Sequence, residues 1–182
     1  MNLLFRLLWL ALTGRFRSPV PPLGPCRTMF RVLPTDLDVL FHVNNGVYLS
    51  LMDLGRVDLM RRAGLLQQIA KRGWYPVVVA ETIRFRRSLN LFDRFVIETR
   101  ILAWDDKAFL VEQIFERDGE VIAHALVRAR FLSKTGAKVQ PADIVALAGD
   151  VPPPAEVPDY AARWNADHSA WPFANSAKGA DT

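Results

Sequence analysis

The sequence predicts an α+β protein in which an antiparallel sheet wraps around one long helix. The helix is indicated over Asn45–Arg62, where apolar residues recur at helical spacing and Gly64 follows as a stop signal. Beyond Gly73 the pattern changes to alternating segments rich in β-branched and aromatic residues, which is typical of strands. The dipeptide Asp118-Gly119 joins the last two of these segments and predicts a tight hairpin.

The remaining elements follow in chain order. A first strand is expected over residues 28–33, before a polar loop that leads into the long helix. A second, short helix is expected over residues 65–71. The later strands are expected over residues 75–87, 95–104, 109–117 and 120–132. Together these segments describe one sheet packed on one helix.

The N-terminus begins with an apolar run from Leu3 to Leu12 that contains Arg6. A bilayer-spanning helix needs roughly 20 apolar residues, so this run is too short to span. Phe5, Trp9 and the flanking arginines suit a helix that lies at a membrane surface. Two alternatives stay open: a helix packed on the protein itself or on a partner subunit, and a signal peptide, although no clear cleavage site follows.

Proline-rich stretches divide the chain into three parts. Residues 19–25 form an extended connector, and the tail from Asp150 is expected to be an extended surface segment with a frayed end. Trp164, Trp171 and Phe173 indicate that part of this tail is held in place. The predicted organisation is an N-terminal apolar and basic segment (1–27), one folded domain (28–149) and a C-terminal extension (150–182).

Composition and motif searches narrow the functional classes. The formal net charge is +4, and five arginines precede the first acidic residue, Asp36, which favours an anionic surface near the N-terminus. The single cysteine, Cys26, excludes an intrachain disulfide and is expected to be a buried or incidental thiol. These features predict a cytoplasmic protein, with contact at the inner face of a membrane left open. No nucleic-acid motif, zinc-ligand spacing, phosphate loop or dinucleotide fingerprint is present, so neither a metal, a cofactor nor a nucleic-acid partner is expected.

Chemistry-bearing residues concentrate where the first strand gives way to the long helix. A polar loop at a helix start presents unpaired backbone N–H groups to developing negative charge, and a neighbouring carboxylate suggests hydrolysis of a carbonyl compound. The residues concerned are Asp36, Asp38, His42, Val43, Asn44, Asn45 and Tyr48, followed on the helix by Asp53 and Arg56. This motif resembles that of the hot-dog thioesterases of the 4-hydroxybenzoyl-CoA thioesterase type, over roughly residues 28 to 135. It is most similar to the branch that contains the mammalian thioesterase superfamily members.

The resemblance implies a hot-dog fold and hydrolysis of an acyl-CoA or acyl-carrier-protein thioester, with coenzyme A entering as part of the substrate. It implies a homodimer whose interface completes the site, with a tetramer left open. Asp38 is expected to attack the thioester or activate water, and the backbone N–H of Asn45 to polarise the carbonyl. His42 is expected to orient the carboxylate or the substrate, or to bond to the backbone instead.

Other motif residues receive secondary assignments, some from the resemblance and some from the chemistry of the residues themselves. Asn44, Gly46 and Lys107 are expected to contact the substrate, although the Asn44 side chain could serve to fix the loop. Asp36 is expected to cap the helix or close a turn. Asp53 is a second catalytic candidate, with a structural pair to Arg56 as the alternative.

Two departures from the family pattern keep a second function open. Phe41 replaces the glycine that many relatives carry before the histidine, which is expected to alter the backbone path and narrow the acyl pocket. Asp105 and Asp106 stand where some relatives carry consecutive basic residues, so they are expected to repel coenzyme A phosphates and leave Lys107 alone. Arginines on the sheet are possible substitutes. The second function is that of a non-catalytic acyl- or lipid-binding protein at a membrane surface. A hot-dog dehydratase or hydratase is a third alternative.

Overall fold

The computed structural model describes residues 3–149, 151–154 and 156–170. Its α-helices are α1 (Leu3–Thr13), α2 (Asn45–Arg62), α3 (Leu66–Lys71), α4 (Pro141–Leu147) and α5 (Asp159–Ala170), with short 3₁₀ helices at Gly14–Phe16 and Pro34–Asp36. Its strands are β1 (Cys26–Arg31), β2 (Trp74–Phe85), β3 (Arg94–Trp104), β4 (Phe109–Arg117) and β5 (Glu120–Ser133). None of the described helices combines the length and the apolar character that crossing a membrane requires.

The strands form a single antiparallel sheet in the order β1-β3-β4-β5-β2. β1 pairs with the first half of β3, with Cys26 opposite Thr99 and Arg31 opposite Arg94. At the other edge, the described part of the chain pairs β2 with β5 alone. The outer edge of β2 therefore presents backbone N–H and C=O groups that a further strand could bind.

The helix α2 packs against one face of this sheet. Met52 of α2 and Phe115 of β4 are fully buried in the same apolar core. Gly55 allows the helix to come close, because a Cβ at this position would stand 3.0 Å from side-chain atoms of both Gln113 and Thr99. The glycine thus fixes how tightly α2 sits on β3 and β4, and with it the position of both helix ends.

These observations confirm the predicted fold class, an antiparallel sheet wrapped around a long helix. α2 begins and ends at the predicted residues, Asn45 and Arg62, and every strand end lies within two residues of its prediction. The largest differences are at β1, which starts and ends two residues earlier than expected, and at the end of β2.

The helix α1 packs on the folded domain through one face only. Leu10 is buried in the main core, and the Arg6 side chain reaches the carboxylate of Asp36 at 2.5 Å. The opposite face exposes four large apolar side chains, those of Phe5, Leu8, Trp9 and Leu12. The prediction of a helix packed on the protein itself therefore describes one face of α1.

The C-terminal extension differs from its prediction as an extended segment, because residues 159–170 form the helix α5. This helix lies on the face of the sheet opposite α2, where Ala161 is fully buried against apolar residues of three strands. Those residues are Leu102, Leu110 and Leu126. Trp164 packs against this cluster, as expected for a tail that is held in place, whereas Trp171 and Phe173 lie outside the described residues.

Polar contacts explain why this helix could not be recognised from a local pattern. Tyr160 donates a hydrogen bond to Glu112 of β4, and Arg128 of β5 donates one to Asn165. Glu112 and Arg128 are far from α5 in the sequence. The helix therefore depends on tertiary contacts, which the spacing of residues within the segment itself does not reveal. The helix α4 was likewise not predicted, and its Ile144 is buried in the main core.

Candidate active site

The loop before α2 is a tight turn closed by backbone hydrogen bonds. The Asp38 N–H donates to the carbonyl of His42 at 2.9 Å, and the Phe41 N–H donates to the carbonyl of Asp38 at 3.0 Å. Phe41 has a φ of 59°, in the left-handed region that favours glycine. Phe41 thus adopts a backbone conformation that glycine takes more easily, and the expectation that Phe41 narrows the acyl pocket stays a prediction. Its side chain is 77% exposed, so it points away from the interior.

The two carboxylates of the motif have different surroundings. Asp36 is buried, and its Oδ2 accepts hydrogen bonds from the Leu33 N–H at 2.7 Å and from Arg6. It closes the short 3₁₀ helix, in agreement with the expectation that it closes a turn. Its bond to Arg6, which fastens α1 to the loop, was not predicted. Asp38 is half-buried, and its Oδ1 accepts the Leu40 N–H at 2.8 Å. Within the described residues Asp38 forms no ion pair, and no hydrogen bond to its second oxygen occurs there.

The start of α2 is capped in a way that leaves one donor free. The Oδ1 of Asn44 accepts the Gly46 N–H at 2.9 Å, so this amide side chain fixes the helix start. The Asn44 N–H donates to the carbonyl of Asp36, which holds the loop against the helix. No hydrogen bond from the Asn45 N–H occurs within the part of the chain that is described. That group is one of the unpaired donors of a helix N-terminus.

A cavity of about 310 Å³ brings three predicted residues together. Asp38, His42 and Asn45 all line it, so the catalytic assignments from sequence converge on one place. The opposite wall is formed by the end of β2 and the residues after it, and the floor by the buried Tyr48. These wall residues are Phe85, Arg86, Arg87 and Ser88.

The structure does not bring Lys107 to this cavity within one chain. The loop bonds to the segment before β3, since the Val43 N–H donates to the carbonyl of Leu89. Lys107 follows the far end of β3, and an 11-residue strand rising about 3.3 Å per residue separates the two by about 30 Å. The role of Lys107 in substrate binding stays a prediction.

Asp105 is not the free repulsive charge that the sequence suggested. Its Oδ1 accepts the N–H groups of Lys107 and Ala108, and its Oδ2 binds Arg128 at 2.5 Å. Burial would raise the pKa of Asp105, but these hydrogen bonds and the Arg128 charge outweigh it and lower the pKa. Asp105 is therefore a structural carboxylate, and Arg128 is already engaged and no substitute phosphate ligand.

A second cavity, of about 270 Å³ and mainly apolar, lies farther along α2. It is enclosed by the C-terminal half of α2, by α3 and α4, and by the sheet. Representative wall residues are Val57, Met60, Ile69, Val77, Ile101, Phe109, Ile144 and Ala148. Asp53 and Arg56 also line it and form the predicted ion pair, and Arg56 donates to Gln113 at 2.6 Å. Sequence reasoning did not locate this cavity because three helices and four strands contribute to it.

Comparison with known proteins agrees with this arrangement. A family model described as the thioesterase-like superfamily matches residues 32–164. Protein THEM6 of Xenopus laevis is 46% identical over 110 residues, which cover 59% of this chain and 53% of that protein. The long-chain acyl-CoA thioesterase FadM of Escherichia coli is 30% identical over 103 residues, which cover 56% of this chain and 78% of FadM. The matches span between 50% and 61% of the length of three THEM6 proteins.

Solved structures give the same result for the fold. The probable thioesterase YbaW of Escherichia coli superposes with a TM-score of 0.61 at 25% identity, over 68% of this chain and 96% of YbaW. A Thermus thermophilus thioesterase, solved with coenzyme A and zinc, superposes with a TM-score of 0.58 at 26% identity, over 69% of this chain and 98% of that protein. These matches confirm the hot-dog fold. Since the family model covers most of the chain, this protein belongs to the thioesterase-like superfamily.

Proposed function

We propose that this protein is a thioesterase that hydrolyses an acyl-CoA or acyl-carrier-protein thioester by carboxylate-assisted attack of water. The observation that carries the proposal is that Asp38 and the unpaired Asn45 N–H border the same cavity. A carboxylate can act as the general base towards water, and a backbone N–H at a helix start can stabilise the negative charge on the carbonyl oxygen during acyl transfer. FadM, a long-chain acyl-CoA thioesterase by name, supports the reaction class as a relative.

Each group has a defined task in the proposed reaction. The carbonyl oxygen of the thioester accepts the Asn45 N–H, which stabilises the negative charge that develops there; one such donor contributes on the order of 3 kcal/mol to the transition state. Asp38 accepts a proton from a water molecule whose oxygen bonds to the carbonyl carbon. The C–S bond then breaks, the leaving thiolate takes the proton from Asp38 and departs as a thiol, and the carboxylic acid is released with Asp38 ionised again. His42 borders the same cavity and serves to orient the substrate or the carboxylate.

The apolar cavity is the proposed site of the acyl chain. Its nearest helix residue, Asp53, lies eight positions after Asn45, and a rise of 1.5 Å per residue puts about 12 Å between them. A chain whose thioester sits at Asn45 has to cross this distance before it enters the apolar walls. The arrangement therefore favours medium and long acyl chains over acetyl groups, because only these reach the apolar surface.

We propose a homodimer as the active assembly. β2 carries an open edge with the exposed apolar residues Tyr75, Val78 and Val79. Pairing with the same strand of a second copy would satisfy the backbone groups of that edge and cover these side chains. Further association to a tetramer is compatible with this interface.

The test is thiol release from acetyl-, dodecanoyl-, hexadecanoyl- and benzoyl-CoA, and from dodecanoyl-carrier protein, by wild type and Asp38→Asn. We expect turnover by wild type and a loss of about 100-fold or more in kcat/KM for the variant, the range for removing a general base. Asp106→Asn is the matched control, since Asp106 is an exposed carboxylate in the turn beyond the far end of β3. Circular dichroism and light scattering must give the same fold and assembly for all three proteins. Full activity in Asp38→Asn would contradict the proposal.

One observation favours a second candidate, a non-catalytic acyl- or lipid-binding protein at a membrane surface. The exposed apolar face of α1 includes Trp9 and Phe5, and a helix of this kind binds at the boundary between headgroups and acyl chains. Absence of thiol release from every thioester, together with binding of fatty acid and of anionic vesicles, would favour this candidate over the thioesterase.

A further inference from the structure

Two adjacent arginines border the cavity that contains Asp38. Arg86 and Arg87 follow the last residue of β2, and both line the wall opposite the motif loop. In a regular strand, neighbouring side chains point to opposite faces. Here the N–H groups of Arg86 and Arg87 both donate to the carbonyl of Ile122, at 2.8 and 3.1 Å. Sharing one acceptor ends the alternation, and both side chains can therefore border the same cavity.

The pair keeps a net positive charge. Glu120 is its acidic neighbour, with the Arg87 Nε at 2.8 Å and an Arg86 nitrogen at 3.6 Å from the same oxygen. One carboxylate against two guanidinium groups leaves about one unit of positive charge. The side chains of Arg86 and Arg87 are 65% and 55% exposed, so an anion can reach them from solvent. Guanidinium groups bind phosphate oxygens through two parallel hydrogen bonds.

Other cations are less well situated for an anion that enters with the substrate. Arg128 is buried in contacts with Asp105 and Asn165. Arg117 is engaged by Asp93 and by the carbonyl of Ser88. Lys107 lies beyond the far end of β3 in the same chain. Among the described residues, Arg86 and Arg87 thus combine exposure with a position on the wall of the Asp38 cavity.

We infer that Arg86 and Arg87 form the binding site for the phosphate-bearing arm of the thiol carrier. This inference rests on the proposed thioesterase function and names the part of the substrate that the arginines recognise. The ligand is a phosphate ester on the pantetheine arm, which coenzyme A and acyl-carrier protein share. The acyl group and the carrier arm then leave the reacting carbonyl in different directions, the chain along α2 and the arm past the end of β2.

The test compares thioesters with and without phosphate. The substrates are dodecanoyl-CoA, dodecanoyl-4′-phosphopantetheine and the dodecanoyl thioester of N-acetylcysteamine, which has no phosphate. For the double variant Arg86→Gln/Arg87→Gln, we expect kcat/KM for dodecanoyl-CoA to fall at least tenfold through a higher KM, with kcat nearly unchanged. The phosphate-free thioester should be hydrolysed within about twofold of the wild-type rate, because it makes no contact that the substitution removes.

Two further comparisons test which phosphate the arginines bind and control for the loss of positive charge. We expect a comparable loss with dodecanoyl-4′-phosphopantetheine, which carries the shared 4′-phosphate. A loss confined to dodecanoyl-CoA would place the contact at the phosphates of its adenosine part and would overturn the inference. The matched control is Arg84→Gln/Arg130→Gln, which removes the same charge from two exposed arginines that do not line the cavity. We expect this control to change KM for dodecanoyl-CoA by less than twofold.

Four further results would overturn the inference. The double variant could lose as much kcat/KM on the phosphate-free thioester as on dodecanoyl-CoA, or lose none on any substrate. The control pair could have the same effect as the Arg86 and Arg87 variant, or Lys107→Ala could show the phosphate-dependent loss while the Arg86 and Arg87 variant does not. A separate titration with free coenzyme A keeps this test independent of catalysis. If wild type hydrolyses no thioester, the proposed function fails. The arginine site would still be supported if coenzyme A binds more weakly to the double variant than to wild type and to the control. Equal binding to all three proteins would contradict it.

Discussion

Phe41 bears a backbone conformation that costs free energy at the centre of the candidate site. A residue with a Cβ in the left-handed region costs roughly 1–2 kcal/mol, whereas glycine adopts it freely. The side chain is largely exposed and contributes little packing to offset this cost. The loop keeps the conformation because the bonds between Asp38, Phe41 and His42 close the turn around it.

Replacing Phe41 with glycine is expected to relieve this strain. The matched control is Leu40→Gly, since Leu40 is similarly exposed and has no positive φ. Both changes add the same freedom to the unfolded chain, so we expect Phe41→Gly to be more stable than Leu40→Gly by about 1 kcal/mol. Urea unfolding of the two variants measures the difference. Equal stability, or a less stable Phe41→Gly, would mean that the loop carries no such strain.

The sequence was enough to predict which loop residues belong to the candidate site, but not the role of each one. Helix capping by Asn44 and the structural role of Asp36 were among the open alternatives. The Arg6 partner of Asp36 could not be foreseen, because it comes from a helix 30 residues earlier that has no sequence pattern linking it to the loop. The sequence did not distinguish Arg86 and Arg87 from the other arginines of the sheet. Only the structure shows that both N–H groups bond to the Ile122 carbonyl and that both residues line one cavity.

At the level of elements, α5 is fastened to the sheet by a buried carboxylate. Glu112 of β4 is fully buried and accepts hydrogen bonds from Arg100 at 2.5 Å, from His124 at 2.8 Å and from Tyr160 of α5. Burial would raise the pKa of Glu112, but the bonds from His124, Tyr160 and Arg100 outweigh it and hold the pKa at about 2. Burial of Tyr160 and its hydrogen bond to Glu112 raise the pKa of Tyr160 to about 12.

This contact should make stability depend on acid in a defined range. The folded pKa of Glu112 lies below the unfolded value of about 4.3, so its stabilisation is complete above that value and is lost as pH falls towards about 2. Glu112→Gln, which cannot ionise, should be less stable than wild type by about 1.5–3 kcal/mol at pH 6. Unfolding in urea at pH 6, 4 and 3 measures the difference, which should shrink at each step. A constant difference would show that ionised Glu112 is not what holds α5.

The apolar cavity gives a second prediction at the level of elements. Ala148→Phe puts a large side chain into the cavity from the end of α4 and displaces part of the acyl chain. Each methylene group of the chain that is kept out of the apolar cavity costs about 0.8 kcal/mol of binding free energy. We expect kcat/KM for hexadecanoyl-CoA to fall about tenfold and that for butanoyl-CoA to change little. Ala146→Phe is the control, because Ala146 lies on the exposed side of the same helix. An equal loss for both chain lengths would argue against acyl binding there.

The strands and the central helix could be predicted because local pattern and packing agree there. The alternation along β3 and the apolar face of α2 follow from the packing of this helix on the sheet. The helix α5 follows Pro158 and carries mostly small and polar residues, so its stability comes from Glu112, Arg128 and the buried Ala161. Such contacts join positions far apart in the chain and leave no periodic signal.

At the scale of the whole molecule, the exposed face of α1 is a feature that no contact among the described residues explains. Arg6 and Leu10 hold the helix on the domain, so the opposite face is held outward in a fixed orientation. We propose that this face contacts an anionic membrane surface. Its apolar side chains would enter the headgroup boundary, and the basic N-terminal residues would favour acidic lipids.

Vesicle sedimentation tests this contact. We expect wild type to bind vesicles that contain phosphatidylserine, and Phe5→Ser/Trp9→Ser to bind about tenfold less because it loses two large apolar side chains. Met29→Ser is the control, as Met29 is equally exposed but lies on β1. Binding that is unaffected by the double substitution, or reduced equally by the control, would exclude α1 as the membrane contact.

The central claim is that hydrolysis occurs at the start of α2, and one comparison tests it most directly. Asp38→Asn and Asp53→Asn remove carboxylates from the two cavities, one beside the Asn45 N–H and one beside Arg56. With thiol release from dodecanoyl-CoA as the readout and equal folding of both variants verified, we expect Asp38→Asn to lose about 100-fold or more in kcat and Asp53→Asn to lose far less. The reverse order would contradict the account and move the chemistry to the helix carboxylate.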